Sequence, residues 1–313
     1  MPGYIIESII MNTNTLKKEI KELKEKKNAV ILAHNYQIDE VQLIADYLGD
    51  SLELSKIASE TKNPLIVFAG VKFMAETAKI LSPEKTVLLP RLDAGCPMAD
   101  MITLAELNDL KKEYPDAKVV TYVNSTAEIK ANSDVCCTSA NAVKIVKNID
   151  SKKVIFIPDR NLGSYVQSQV PEKEIILFEG YCYVHNRIKE QEIEKMKQEY
   201  PDAEILVHPE VRKELIPYAH KVLSTSGMLR YAKESKSKVF IVATEQGLLN
   251  RMKRENPDKE FLPAIKPKYC SNMKKTTLID VLNSLTNNQY EIKIEKEIIK
   301  KAKNSLEKML NYI

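Results

Sequence analysis

Apolar runs along this chain are short, rich in β-branched residues, and separated by stretches with polar residues at helical spacing. Val30–Ala33, Leu65–Ala69, Val154–Ile157 and Val239–Ala243 have the length and unbroken apolarity of strands buried on both faces, as in a parallel sheet. Two polar-faced segments lead into such runs in nearly the same words, "LKKEYPDAKVVTYVNST" near residue 115 and "KMKQEYPDAEILVHPEV" near residue 200. Tyr114-Pro115-Asp116-Ala117 recurs as Tyr200-Pro201-Asp202-Ala203, a step of 86 (200 − 114). A more diverged copy is "KELKEKKNAVILAHNYQ", with Ala29 in the place of Ala117 at a step of 88 (117 − 29).

The register persists. Asp50-Ser51, Thr138-Ser139 and Ser224-Thr225 are equivalent (139 − 51 = 88; 225 − 139 = 86), and each opens a helical pattern at Leu52–Ala58, Ala140–Lys147 and Ser226–Ala232. A hydroxyl or carboxylate at that place suits an N-cap. A second strand, another helix and a short strand then lead to one cysteine per copy: Cys96, Cys182 and Cys270. Strand–helix alternation predicts an α/β fold of three homologous small α/β/α units with parallel sheets and right-handed crossovers. Pseudo-threefold symmetry would turn equivalent loops toward one axis. The expected units are 14–100, 101–185 and 186–275, with C-terminal helices 276–313 completing the first.

Ligands of parallel α/β sheets sit beyond the carboxyl ends of the strands. There the same steps align His34 with Tyr122 and His208, and Tyr36 with Asn124 and Glu210. Residues two apart in extended chain point the same way. Each of these alone reads equally well as an ordinary loop residue; the threefold recurrence favours a site. Ser51, Ser139 and Thr225 form a hydroxyl column whose first reading is helix capping. A helix N-terminus also offers free N–H groups to an anion, and the two roles are compatible.

Composition narrows the classes. With 313 residues, 44% hydrophobic and 29% charged, the chain fits a folded protein with a substantial interior. A net charge of +4, from 47 basic against 43 acidic side chains, gives no warrant for a nucleic-acid face. The Lys-rich runs alternate with Glu and read as solvated helix faces. No apolar run is membrane-spanning in length, and Ile5–Met11 carries Glu7 without a basic leader, so no signal peptide is read. Met11 offers an alternative start, and the expected localisation is cytoplasmic.

Five cysteines without a leader point to thiols or metal ligands rather than disulfides. Cys136 and Cys137 read as buried small hydrophobes. Cys96, Cys182 and Cys270 recur once per copy in loop-like flanks and form no CxxC pair, which disfavours a zinc ribbon. Three thiolates without an obvious fourth ligand suit a [4Fe–4S] cluster with one iron open, a Lewis acid that assists loss of water. His185 is a fourth-ligand candidate, read rather as a neighbour of the ligands.

These residues resemble the quinolinate synthase (NadA) family of NAD biosynthesis. The likeness runs from about residue 15 to the end and rests on "AHNYQ" at 33–37, "GDSLELS" at 49–55, "CPMA" at 96–99, "YVNST" at 122–126, "CTSANAV" at 137–143, "PDRNLG" at 158–163, "VHPE" at 207–210, "STSGM" at 224–228 and "NMKKTTL" at 272–278. It implies three α/β domains around a central [4Fe–4S] cluster, with Cys96, Cys182 and Cys270 as ligands. It also implies His34, Ser51, Tyr122, Val123, Asn124, Ser139, His208, Pro209, Glu210 and Thr225 as substrate contacts. Some relatives carry further cysteines after the third ligand, where Ser271 and Met273 stand here.

The implied reaction condenses iminoaspartate with dihydroxyacetone phosphate to quinolinate, phosphate and two waters. The enzyme that supplies iminoaspartate is a candidate partner; nucleic acid and membrane are not. By resemblance and chemistry together, the hydroxyl column with Tyr122 and Asn124 would bind carboxylate and phosphate. His34 and His208 would bind or polarise substrate. Tyr36 and Glu210 would move protons, Glu210 being tuned toward neutrality. Two rivals stay open at this point: another iron–sulfur dehydratase of a small polycarboxylate, and a binding module with a structural or sensing metal.

Overall fold

The computed structural model describes residues 2–264, 266 and 268–312, with side chains from residue 13 onward, so the side chain of the alternative start Met11 lies outside the described residues. Among the described residues, twelve strands form three four-stranded parallel sheets. The first holds β1 (Ala29–His34), β2 (Tyr47–Gly49), β3 (Leu65–Ala69) and β4 (Thr86–Leu88). The second holds β5 (Lys118–Tyr122), β6 (Val135–Cys137), β7 (Lys153–Ile157) and β8 (Glu174–Leu177). The third holds β9 (Glu204–Val207), β10 (Lys221–Val222), β11 (Val239–Ala243) and β12 (Glu260–Pro263). Their spatial orders are 2-1-3-4, 6-5-7-8 and 10-9-11-12, the same topology three times.

Alternation along the inner strands explains why they are apolar throughout. Val30, Leu32 and Phe68 of the first sheet, Val120 and Phe156 of the second, and Leu206 and Phe240 of the third enter one shared core. Their neighbours in sequence, such as Ile31, Ile155 and Ile241, enter the separate outer cores of their own units. Each sheet therefore has apolar cover on both faces, one face turned to the outer core of its unit and the other to helices that reach into the shared core, so neither face tolerates polarity.

The short strands β2, β6 and β10 add to the expected pattern. Each pairs with the free edge of the first strand of its unit. β6 carries Cys136 and Cys137, both fully buried, with Cys136 Sγ 3.4 Å from Ser305 Oγ.

The two C-terminal helices diverge, which corrects the expectation that both complete the first unit. Leu278–Asn287 packs on the N-terminal helix Pro2–Lys26 and on β3. The following segment covers the edge of β4, with Leu89 N–H donating to the Tyr290 carbonyl and Ile292 N–H to the Val87 carbonyl, each at 2.9 Å. Helix Lys296–Leu310 instead packs on β6 and helix Ala127–Ala131 of the second unit, and on Lys72–Leu81 of the first. Its buried stripe Ala302, Leu306 and Met309 belongs to the shared core, so it seals a seam between units.

Candidate functional site

In each sheet the chain steps from the first strand to one side, then returns across it to the other. The crevice between the first and third strands is thus a switch point, where parallel sheets bind ligands. His34 and Tyr122 end β1 and β5, and His208 follows β9 by one residue. All three units open these crevices onto one cavity of about 660 Å³, part of it open to solvent. His34, Tyr36, Ser51, Tyr122, Asn124, Ser139, His208, Glu210 and Thr225 line it, as do Cys96, Cys182 and Cys270. Val123 and Pro209 are buried but outside this lining.

The two histidines are held alike. Tyr36 N–H donates to His34 Nδ1 at 3.2 Å, and Glu210 N–H donates to His208 Nδ1 at 3.4 Å. With Nδ1 an acceptor, this pattern assigns the proton of each neutral ring to Nε2. Burial lowers both pKa values to about 3. Lys274 pushes His34 the same way and His185 pushes His208, while Glu210 opposes both. Both rings are therefore neutral near pH 7.

A chain of hydrogen bonds crosses the cavity wall. Tyr36 Oη lies 2.7 Å from Thr244 Oγ1, which lies 2.9 Å from His185 Nε2. His185 Nδ1 meets Glu210 Oε2 at 2.8 Å, and Tyr122 Oη donates to Glu210 Oε1 at 2.5 Å. His185 Nδ1 also sits 3.2 Å from Cys182 Sγ. Burial alone would raise the Glu210 carboxyl, but His185 and His208 outweigh it and hold the group below the usual carboxylate range. That corrects the expectation of a carboxyl tuned toward neutrality: the donors around it favour the anion. Burial and the Glu210 charge push both Tyr36 and Tyr122 upward, so both phenols keep their protons.

The hydroxyl column is not the capping position. Asp50 caps helix Ser51–Glu60 by accepting from Leu52 N–H and Glu53 N–H, and Ser224 caps Thr225–Glu234 by accepting from Gly227 N–H. Ser51 and Thr225 are the first helical residues beyond those caps. The second unit departs from the pattern: its helix, Ala142–Asn148, starts after a turn in which Asn141 Oδ1 accepts from Thr138 N–H, and Ser139 lies ahead of it. Thr225 Oγ1 accepts from Asn35 Nδ2 at 2.9 Å, which leaves its own proton free to be donated. Asn124 Oδ1 is buried without a partner among the described residues, an acceptor left for something in the cavity.

Burial raises the three cavity thiols, Cys96 to about 12. Among the described residues, one set of three His, Cys, Asp or Glu ligand atoms lies within 4.8 Å of one another: Cys182, His185 and Glu210, which is a possible metal site. The three cysteines do not meet that spacing. A single zinc ion, with Zn–S of about 2.3 Å, would draw its thiolates to roughly 3.8 Å apart. Three thiols facing one cavity at wider spacing fit a larger inorganic group, so the donor set matches a cluster better than one ion.

A sequence profile described as quinolinate synthetase A protein matches residues 18–311. Among curated proteins, a quinolinate synthase of Caldicellulosiruptor bescii is 54% identical over 96% of this chain and 99% of its own length. The chain belongs to the quinolinate synthase family. A family member from Clostridium kluyveri is 54% identical over 95% of this chain and 98% of its own, and a quinolinate synthase 2 of Methanosarcina acetivorans 48% over 97% of each. No described helix is long and apolar enough to cross a membrane.

Within this quinolinate synthase fold, the columns read from the first strands miss a third. The third strands end at Ala69, Ile157 and Ala243, and two residues on stand Val71, Asp159 and Glu245, at the same steps of 88 (159 − 71) and 86 (245 − 159). Asp159 and Glu245 are fully buried carboxyls, both raised by burial. Glu245 Oε1 accepts from the backbone N–H of Cys270 at 3.0 Å. Thr244, which completes the hydrogen-bonded chain, precedes Glu245 and escaped for the same reason. The repeat steps, applied to the third strands, were the available signal.

Proposed function

We propose that the chain condenses iminoaspartate with dihydroxyacetone phosphate to give quinolinate, phosphate and two waters, the ring-building step of NAD biosynthesis. The observation that carries this reading is one cavity into which each unit sends one thiol, one group from the His34 column and one hydroxyl. Cys96, Cys182 and Cys270 would hold a [4Fe–4S] cluster. When bound, that cluster supplies an iron without a protein thiolate, a Lewis acid toward a departing hydroxyl.

The chain's own groups supply the rest. The substrates carry carboxylates and a phosphate, and the site offers matching donors: the Nε2–H of His34 and His208, and the hydroxyls of Ser51, Ser139 and Thr225. The amide of Asn124 completes the set, Tyr122 lines the same cavity with its one proton directed to Glu210, and Val123 and Pro209 carry their neighbours Asn124 and His208–Glu210 into place. Glu210, held as an anion, accepts from Tyr122 Oη and His185 Nδ1 and so orients the groups that relay protons on either side of it. Tyr36 and Tyr122 stand at the two ends of the Thr244–His185–Glu210 chain, so a proton taken near one can be returned near the other. The two waters lost and the ring closed require such repeated transfers.

Anaerobic incubation of iron- and sulfide-reconstituted protein with dihydroxyacetone phosphate and iminoaspartate, the imine formed in place from oxaloacetate and ammonia, tests the reading. Quinolinate with one phosphate released per ring is the expected product. A fully loaded protein that makes none contradicts it.

A further inference from the structure

The motif Asn272–Leu278 contains Lys274, which the proposed chemistry does not use. Lys274 ends the loop that presents Cys270, and this loop is fastened on two sides. Toward its own unit, Gln246 N–H donates to the Lys268 carbonyl at 2.9 Å and Cys270 N–H donates to Glu245 Oε1 at 3.0 Å. Toward the first unit, Gln37 Nε2 approaches Met273 Sδ at 3.6 Å, and Lys274 Nζ donates to the main-chain carbonyl of Tyr36. Lys274 also pairs with Glu245 Oε1 at 2.9 Å, and Glu245 Oε2 accepts from Gly247 N–H at 2.7 Å. One ion pair, its carboxylate fully buried and its ammonium partly so, thus touches the backbone of a cavity thiol and the backbone of Tyr36.

The joint has no slack. A Cβ on Gly247 would stand 2.6 Å from Lys274 Nζ and 2.7 Å from the Tyr36 carbonyl oxygen. Gln42 Nε2, with its two N–H groups shared among the carbonyls of Asn35, Gln37 and Gly247, braces the same seam.

We propose that Lys274, paired with Glu245, is a positioning residue: a strut that locks the Cys270 loop of the third unit to the Tyr36 backbone of the first. It fixes the third thiol and the Tyr36 phenol relative to each other across the cavity. The consequence for catalysis rests on the functional reading above, but the strut itself does not. It is therefore tested on a thiol of the full-length protein before any iron is added.

Lys274→Met keeps the stem and removes the donor and charge. Alkylation of Cys270 by iodoacetamide, mapped by mass spectrometry, is expected to quicken about fivefold or more as the loop opens locally. Cys96 and Cys182 should stay within about twofold, and Cys136 and Cys137, buried in β6, should remain protected. Lys274→Met leaves a buried carboxylate unpaired, which is costly, and adding Glu245→Gln removes that charge. The double variant should regain thermal stability while Cys270 stays fast, because the Tyr36 carbonyl still lacks its donor. Gly247→Ala, wedged into the same joint, should also expose Cys270. Unchanged Cys270 alkylation in Lys274→Met overturns the proposal. So does a rise at all five cysteines that the double variant reverses at Cys270 along with the rest, since charge burial alone would then explain it. Neither result bears on quinolinate formation by the parent protein, so the two readings fail separately.

Discussion

His34 and His208 make the same hydrogen bond to the residue two ahead, in two different units, and burial denies both a proton. The unfolded chain gains those protons as pH falls through about 6.5, while the folded chain gains them only near 3. Their folded pKa is depressed, so stability rises with pH between those values and is lost on acidification. Between pH 7.5 and 5.5 the loss is about 1.4 kcal/mol per histidine. Glu210, also depressed, adds a loss of the same sign below its ordinary range. Urea midpoints of the metal-free protein at the two pH values should show this, and His34→Gln with His208→Gln should remove most of it. An equal loss in that double variant would show the histidines to be accessible to protons in the fold. Glu210→Gln preserves size and removes the anion on which Tyr122 and His185 converge. Turnover is expected to fall about 10²–10⁴-fold with cluster content retained. A loss of less than about tenfold would reassign Glu210 to positioning. These residues were legible in the sequence because three copies vary at one place in the fold. Charge state was not: burial and, at Glu210, the two donors His185 and Tyr122 decide it, and neither is visible along the chain.

Caps and short strands show where reading by element succeeds and stops. The inner strands were legible because both of their faces are covered, by a shared core and an outer core, which leaves a continuous apolar run. β2, β6 and β10 are two or three residues long, too short to carry a period, and only pairing with a neighbouring edge makes them strands. The paired positions differ in role, since Asp50 and Ser224 cap their helices, Asp50 also lining the cavity, while Ser51 and Thr225 line the cavity without capping. Asp50→Ala should therefore cost about 1 kcal/mol in unfolding free energy. Ser139→Ala, at a position that caps nothing, should stay within about 0.5 kcal/mol while weakening substrate binding. A larger stability loss at Ser139 than at Asp50 would restore the capping reading for the whole column.

At the scale of the molecule, three units of one topology share a core and a cavity, and the last helix closes the seam between two of them. We propose 14–100, 101–185 and 186–275 as the units, with Leu278–Asn287 alone added to the first. The destination of helix Lys296–Leu310 was not legible because its apolar stripe fits any seam of suitable shape. The same architecture sorts the cysteines. Cys136 and Cys137 lie inside β6, away from the cavity that Cys96, Cys182 and Cys270 line. Cys136→Ala and Cys137→Ala should keep the iron content and visible chromophore of the reconstituted protein. Loss of iron in either would mean that the thiols were wrongly chosen.

In the proposed function, threefold repetition supplies three thiolates and leaves one iron to the substrate. Mössbauer spectra of protein reconstituted with iron-57, taken with and without quinolinate, test it most directly. One iron should be distinct from the other three, its signal alone moving when quinolinate is added, and Cys96→Ser, Cys182→Ser and Cys270→Ser should hold no intact cluster. Four equivalent thiolate-held irons, indifferent to quinolinate, would contradict it.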